Sequence, residues 1–151
     1  MKVFRLCKSV WKKDLSGHGA EITGGRWNSK GTAVVYTSSS RALCVAEIAV
    51  HTPLGCLPTD YFMIEILIPD DSLIREISIT ELPGKWQSFE NRHITQQIGN
   101  SFIRDENELV LKVPSAVVQG DYNYLINPGH KDIQTIWIVK FEEFKFDARL
   151  F

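Results

Sequence analysis

The stretch EITGGRWNSKGTAVVYTSSSRALCVAEIAVH, residues 21–51, decides the fold. A Gly-Gly-Arg turn leads into a short apolar run ending at Tyr36, then a serine cluster, then an almost wholly apolar segment carrying one carboxylate, Glu47. AVVYTS, residues 33–38, is β-branched and aromatic and reads as a strand. Ser38, Ser39 and Ser40 offer N-cap hydroxyls, and RALCVAEIAVH reads as a helix ended by Pro53 and Gly55. No face of that helix is cleanly polar, so it is expected to be largely buried.

Working outward, KVFRLC at residues 2–7 reads as a first strand. Residues 9–31 are polar, glycine-rich and with little periodicity, which predicts a long loop, either functional or disordered. YFMIEILIP (61–69) and IREISI (74–79) read as strands joined by the turn PDDS, and LPGKW (82–86) as another turn. Across residues 88–102, Ile94, Ile98 and Phe102 recur every fourth position, which predicts an amphipathic helix. ELVLKVPSAVV (108–118) starts as a strand that Pro114 should stop or confine to an edge. LINPGHKD (125–132) is a turn signal, and TIWIVKFEEFKF (135–146) is a strand pair or one long bent strand. With no repeat, linker or regular βαβ alternation, the order predicts one α+β domain, residues 1–151, with a mixed or antiparallel sheet.

The totals narrow the function. A chain of 151 residues, 44% hydrophobic and 23% charged, has apolar material for one core. A formal net charge of -1 gives no general field for nucleic acid or acidic membranes. Together with the lack of paired metal-binding carboxylates, this disfavours a nuclease and direct nucleic-acid binding. Cys7, Cys44 and Cys56 are an odd set without CxxC spacing, as expected of reduced thiols in a cytoplasmic protein. The N-terminus is too polar for a secretory signal, and no apolar run approaches the ~18 residues a membrane helix needs. His18, His51, His93 and His130 lack metal-ligand spacing, so no metal is expected.

Four residues invite a chemical reading. Glu47, in an apolar helix, is either a structural ion-pair partner of Arg26 or Arg41, or a charge held where a cation will develop. Arg26 follows two glycines, so its backbone can approach a ligand closely, and its guanidinium suits a phosphate or pyrophosphate; the alternative is a surface loop arginine. GGRWNSKGT is not a P-loop, since it lacks the Gly-Lys-Ser/Thr ending. Tyr36 is either a core tyrosine with its hydroxyl at the rim or a stacking surface for a flat heteroaromatic ring. Ser115 is a turn serine or a hydroxyl aimed at a ligand phosphate, and no GxSxG elbow surrounds it.

The order of these signals resembles the RES-domain toxins, a family named for an Arg, a Glu and a Ser. The resemblance is carried by GGRWNSKGTAVVYTSSSRALCVAEIAVH, TQQIGNSFI, ELVLKVPSAVV, NYLINPGHKD and FKFDARLF, which span nearly the whole chain. The family triad maps onto Arg26, Glu47 and Ser115, and its VVYTS tyrosine onto Tyr36. Lys131 stands where the family has a proline, and a second glycine precedes Arg26 where many members differ.

The resemblance implies an ADP-ribosyltransferase-like fold, a split and mostly antiparallel sheet around an NAD cleft. It implies the toxin of a bacterial type II toxin–antitoxin pair, with NAD as substrate and no cofactor. The implied reaction cleaves the nicotinamide–ribose bond by phosphorolysis or hydrolysis; the alternatives are ADP-ribosyl transfer to a protein and an inactive nucleotide- or partner-binding module. The implied partner is an Xre-type antitoxin with a helix-turn-helix DNA-binding domain. In this reading Glu47 stabilises positive charge on the ribose and Arg26 clamps the pyrophosphate. Tyr36 stacks on nicotinamide or ribose, and Ser115 bonds a phosphate. Asn127 and His130 contribute to the cleft wall.

Overall fold

The computed structural model describes residues 1–151. Seven strands form one sheet: β1 (Lys2–Lys8), β2 (Val35–Ser38), β3 (Tyr61–Leu67), β4 (Ile74–Glu76), β5 (Val110–Pro114), β6 (Tyr122–Ile126) and β7 (Trp137–Phe144). Three helices accompany them: α1 (His18–Thr23), α2 (Arg41–His51) and α3 (Arg92–Asp105). The strand order is β4-β5-β6-β2-β1-β3-β7, and every pairing is antiparallel except the parallel pair β4–β5. The fold is α+β with a mixed, mostly antiparallel sheet, as expected. No helix is long and apolar enough to cross a membrane.

The sheet is nearly split in two. β1 runs along β3 for its whole length, from Lys2 opposite Leu67 to Lys8 opposite Tyr61. Against β2 it makes a single register pair, Phe4 with Ser38. The strands diverge there, and α2 packs over both. This seam opens the cleft described below.

Strand alternation distributes the core between the two faces. On β5, Val110 joins Val3, Val35, Ile64 and Ile126 on one face, while Leu111 and Val113 meet Trp27, Phe102 and Leu125 on the other. A smaller cluster of Leu6, Cys44, Met63 and Phe146 lies beneath α2.

Local signals place α2 well. The Ser40 hydroxyl accepts from the Leu43 amide, satisfying one of the unpaired N–H groups at the helix start. The helix ends at His51, with Thr52 extended ahead of Pro53, as a residue before proline prefers. Its expected burial is corrected: only Leu43 and Cys44 are buried, and Val50 is 58% exposed. The apolar tally hid a one-sided helix, because small residues such as Ala42 occupy the solvent face.

Two further readings change. Residues 9–31 are not one long loop, since they contain α1 and a 3₁₀ turn at Ser9–Trp11. The strands on either side of Pro69 and Ser72 are not neighbours: β4 is shorter than expected and crosses to the far edge to pair with β5. Of the two readings of TIWIVKFEEFKF, the single long strand holds, with an irregularity opposite Glu65 and Ile66. Pro114 is the last residue of β5, beyond the pairing with β4, so it removes no ladder bond.

Candidate active site

A cleft of about 1020 Å³ lies at the β1–β2 seam, walled by β1, β2, α2 and the loop at residues 24–27. Arg26, Tyr36 and Glu47 all face it, together with Arg92 and Asn123. The sequence thus brings three of its four principal candidates to one cavity.

Glu47 makes no ion pair. Arg41 is engaged by Glu142, and an Arg26 terminal nitrogen donates to the Trp86 carbonyl at 3.2 Å. Two neutral donors hold the carboxylate instead. Asn123 Nδ2 donates to Oε1 at 2.7 Å and Ser115 Oγ donates to the same oxygen at 3.1 Å. Oε2 receives no protein hydrogen bond, so one face of the charge is directed by the protein and the other is left for the cleft. The amide of Asn123 is fixed in turn, because its Oδ1 accepts from Ser38 Oγ at 2.8 Å.

Ser115 is buried and does not line the cleft. Its oxygen accepts from the amides of Val117 and Val118 at 3.1 and 3.0 Å while its proton goes to Glu47. A hydroxyl has one proton and two lone pairs, all used here, so Ser115 supports the carboxylate instead of facing a phosphate.

The Arg26 loop is braced from two sides. From below, the Tyr36 hydroxyl accepts from the Trp27 amide at 3.0 Å and donates to Asn28 Oδ1 at 2.8 Å. Burial raises the Tyr36 pKa above the ordinary tyrosine value, so the phenol stays neutral. The glycine at 25 is required by this brace: a Cβ there would strike the Tyr36 hydroxyl and come within 2.7 Å of Asn28 Oδ1. From the side, α3 holds the same loop. Thr95 Oγ1 donates to the Arg26 carbonyl at 2.7 Å, and Gln96 reaches the Gly25 and Asn28 carbonyls at 2.9 and 3.1 Å. The Arg26 guanidinium lies 5.9 Å from the centre of the Trp86 ring. Its pKa is lowered, first by burial and then by the neighbouring Arg92, with Glu47 acting in the opposite sense.

Asn127 and His130 are elsewhere. Both are buried, and neither lines the cleft. Asn127 bonds the Ile103 carbonyl and the Gly129 amide, and His130 Nδ1 accepts from the Asp132 amide. They brace the corner after β6, so the expected contribution to the cleft wall is corrected. Asn127 lies four residue steps beyond Asn123, about 13 Å of extended strand.

Sequence reasoning missed Asn123 and Arg92. Asn123 was visible only as part of NYLINPGHKD, and its meeting with Glu47 follows from β6 register, Asn123 opposite Ser38. Arg92 sits on the polar side of an amphipathic pattern, where nothing distinguishes it from a solvated charge.

Comparison with known proteins places the chain. Residues 2–147 match the family described as "RES domain". The chain is 39% identical to "Prs ADP-ribosylating toxin" of Sphingobium sp. (strain YBL2), covering 91% of this chain and 86% of that protein. It is 37% identical to "Toxin Res" of Yersinia enterocolitica, covering 97% and 93%. It is 34% identical to "Toxin Res" of Pseudomonas putida, covering 91% and 93%. Among solved structures, a chain of the M. tuberculosis MbcT–MbcA toxin–antitoxin complex matches with a TM-score of 0.76 at 17% identity. The match covers 95% of this chain and 84% of that one and speaks to the fold.

Proposed function

This chain belongs to the RES domain family, and from that premise we propose that it is the toxin of a toxin–antitoxin pair that consumes NAD by breaking the nicotinamide–ribose bond. The observation that carries the proposal is Glu47: a carboxylate in a cleft, aimed by Asn123 and Ser115 and neutralised by no cation.

The chemistry follows from charge. Nicotinamide is attached as a cationic ring and leaves neutral, taking the electron pair of the C–N bond, so it needs no general acid. Positive charge builds on the ribose in an oxocarbenium-like transition state. A carboxylate already fixed beside that carbon stabilises the charge without reorganising, an effect worth about 3–4 kcal/mol for comparable preorganised groups. Arg26 holds the diphosphate so that the reacting bond stays in register. Tyr36 presents its ring to the nicotinamide side while its hydroxyl keeps the Arg26 loop in place. Water or inorganic phosphate then captures the ribosyl cation.

A second reading changes only the acceptor. The 39% identical Sphingobium relative is named an ADP-ribosylating toxin, which favours a protein side chain as the nucleophile in the same cleft. An antitoxin partner fits the complex in which the similar fold was solved, and the Xre type remains part of the proposal. The test is nicotinamide release by purified protein with and without inorganic phosphate, with labelled NAD run against cell extract. Phosphate dependence indicates phosphorolysis, phosphate-independent release indicates hydrolysis, and a labelled protein band indicates transfer. NAD bound without any nicotinamide release overturns the proposal.

A further inference from the structure

Beside the main cleft is a second pocket of about 430 Å³, in which Phe89 is the one hydrophobic lining residue. Arg92 and Phe89 line both cavities and stand where they meet. We propose that these two residues form a distal subsite for a diphosphate-bridged dinucleotide: Arg92 joins Arg26 as a second guanidinium on the diphosphate, and the non-reacting nucleoside lies in the second pocket with its base against Phe89. This inference rests on the reading that a dinucleotide occupies the cleft.

Arg92 is the first residue of α3 and is half-buried. Its Nε donates to the Gly25 carbonyl at 3.1 Å, on the peptide that leads into Arg26. That bond fixes the direction of the guanidinium, and the two terminal nitrogens make no hydrogen bond to protein. Arg26 commits one terminal nitrogen to Trp86 and has its remaining donors free. Neither arginine forms an ion pair with a carboxylate. Two cations are therefore held around Gly25 without a counter-charge, close enough that Arg92 lowers the basicity of Arg26. Like charges held together are unfavourable, and a dianion relieves the repulsion while accepting charge-assisted hydrogen bonds from both. A diphosphate carries two anionic groups, one for each guanidinium, where a single phosphate has one.

Phe89 supplies the second observation. It is 79% exposed, so core packing does not account for it, yet it stands on the rim shared by the two cavities. An exposed aromatic face is a stacking surface for a base, an interaction that alanine substitution typically reveals. Ser29, Lys30 and Gln96 line the pocket beyond it and offer polar groups to a nucleoside. Glu47, Arg26, Arg92 and Phe89 all line the main cleft, and of these only Arg92 and Phe89 also line the second pocket, where the proposal puts the distal nucleoside.

The experiment compares NAD with nicotinamide mononucleotide, which lacks the distal phosphate and nucleoside. The preference for NAD, taken as the ratio of kcat/KM values, should fall about tenfold or more in Arg92→Ala, as expected for a lost charged hydrogen bond. It should fall severalfold in Phe89→Ala, whose exposed site poses no risk to folding. The change should reside in KM for NAD. An unchanged ratio in both variants overturns the subsite. Calorimetric binding of ADP-ribose separates this inference from the reaction it rests on. If the wild type releases no nicotinamide, weaker ADP-ribose binding by both variants still supports the subsite, and unaltered binding overturns it.

Discussion

Asn123 and Glu47 are 76 residues apart in the chain, yet Asn123 Nδ2 lies 2.7 Å from Glu47 Oε1. The contact joins the start of β6 to the middle of α2 and gives the carboxylate its direction. Asn123→Ala should lower kcat for nicotinamide release about 10–100-fold with little change in KM, because a hydrogen bond to a charged group is worth about 1.5–3 kcal/mol. Asn123→Asp should also move the pH profile: a second carboxylate beside Glu47 raises the proton affinity of the pair, so the acidic limb shifts to higher pH. A purely structural asparagine would change stability and leave that limb in place.

Ser115→Ala removes one donor to Glu47 and leaves the Val117 and Val118 amides without their acceptor. The expected cost is about 1–3 kcal/mol of stability for buried groups left unpaired, read by chemical denaturation. Activity should fall less than in a Glu47 variant, because Asn123 still holds the carboxylate. Ser115→Thr, which keeps the hydroxyl, should recover part of both losses.

The sequence made some of this visible and hid the rest for physical reasons. The α2 signals were local: a serine cap, an apolar run and a proline stop lie within one stretch. The convergence of Arg26, Tyr36 and Glu47 was legible because their motif is contiguous from loop to strand to helix. Asn123 was not, since strand register is set by pairing partners and not by the strand's own residues. The same gap misplaced Asn127 and His130, which share a turn motif with the site but stand at the other end of β6. Pro69 to Ser72 reads as a hairpin turn, yet the chain crosses the whole sheet after it; turn chemistry reports a local reversal and carries no topology.

Gly99 should be intolerant of any side chain. It lets α3 lie directly on the Trp27 carbonyl, and a Cβ there would collide with that backbone oxygen. Gly99→Ala should destabilise the fold by about 1–3 kcal/mol, as overpacking does, lowering the melting temperature by several degrees. It should also weaken NAD binding, because the helix it displaces carries Arg92, Thr95 and Gln96, which brace the Arg26 loop from the side. Thermal melts together with a KM measurement check both parts.

Alkaline pH should loosen the fold through its buried acids. Burial pushes the Cys44 thiol from an ordinary 9.0 up to about 12, and burial raises Cys7 and Tyr36 as well. These groups favour the folded state while neutral. The unfolded chain releases their protons first, so stability is full below pH 9.0 and declines as pH climbs toward about 12. A denaturation series across that range should show the decline. Thiol alkylation of native protein near neutrality should modify exposed Cys56 and spare Cys7 and Cys44 until unfolding.

The most direct test is the chemical step itself in Glu47→Gln, which keeps the shape of the side chain and removes its charge. Under single turnover with saturating NAD, nicotinamide release should slow about 10²–10³-fold, with ADP-ribose binding largely retained. Release at the wild-type rate from a folded Glu47→Gln protein would contradict the account, because the charge facing the reacting carbon would then contribute nothing to breaking the bond.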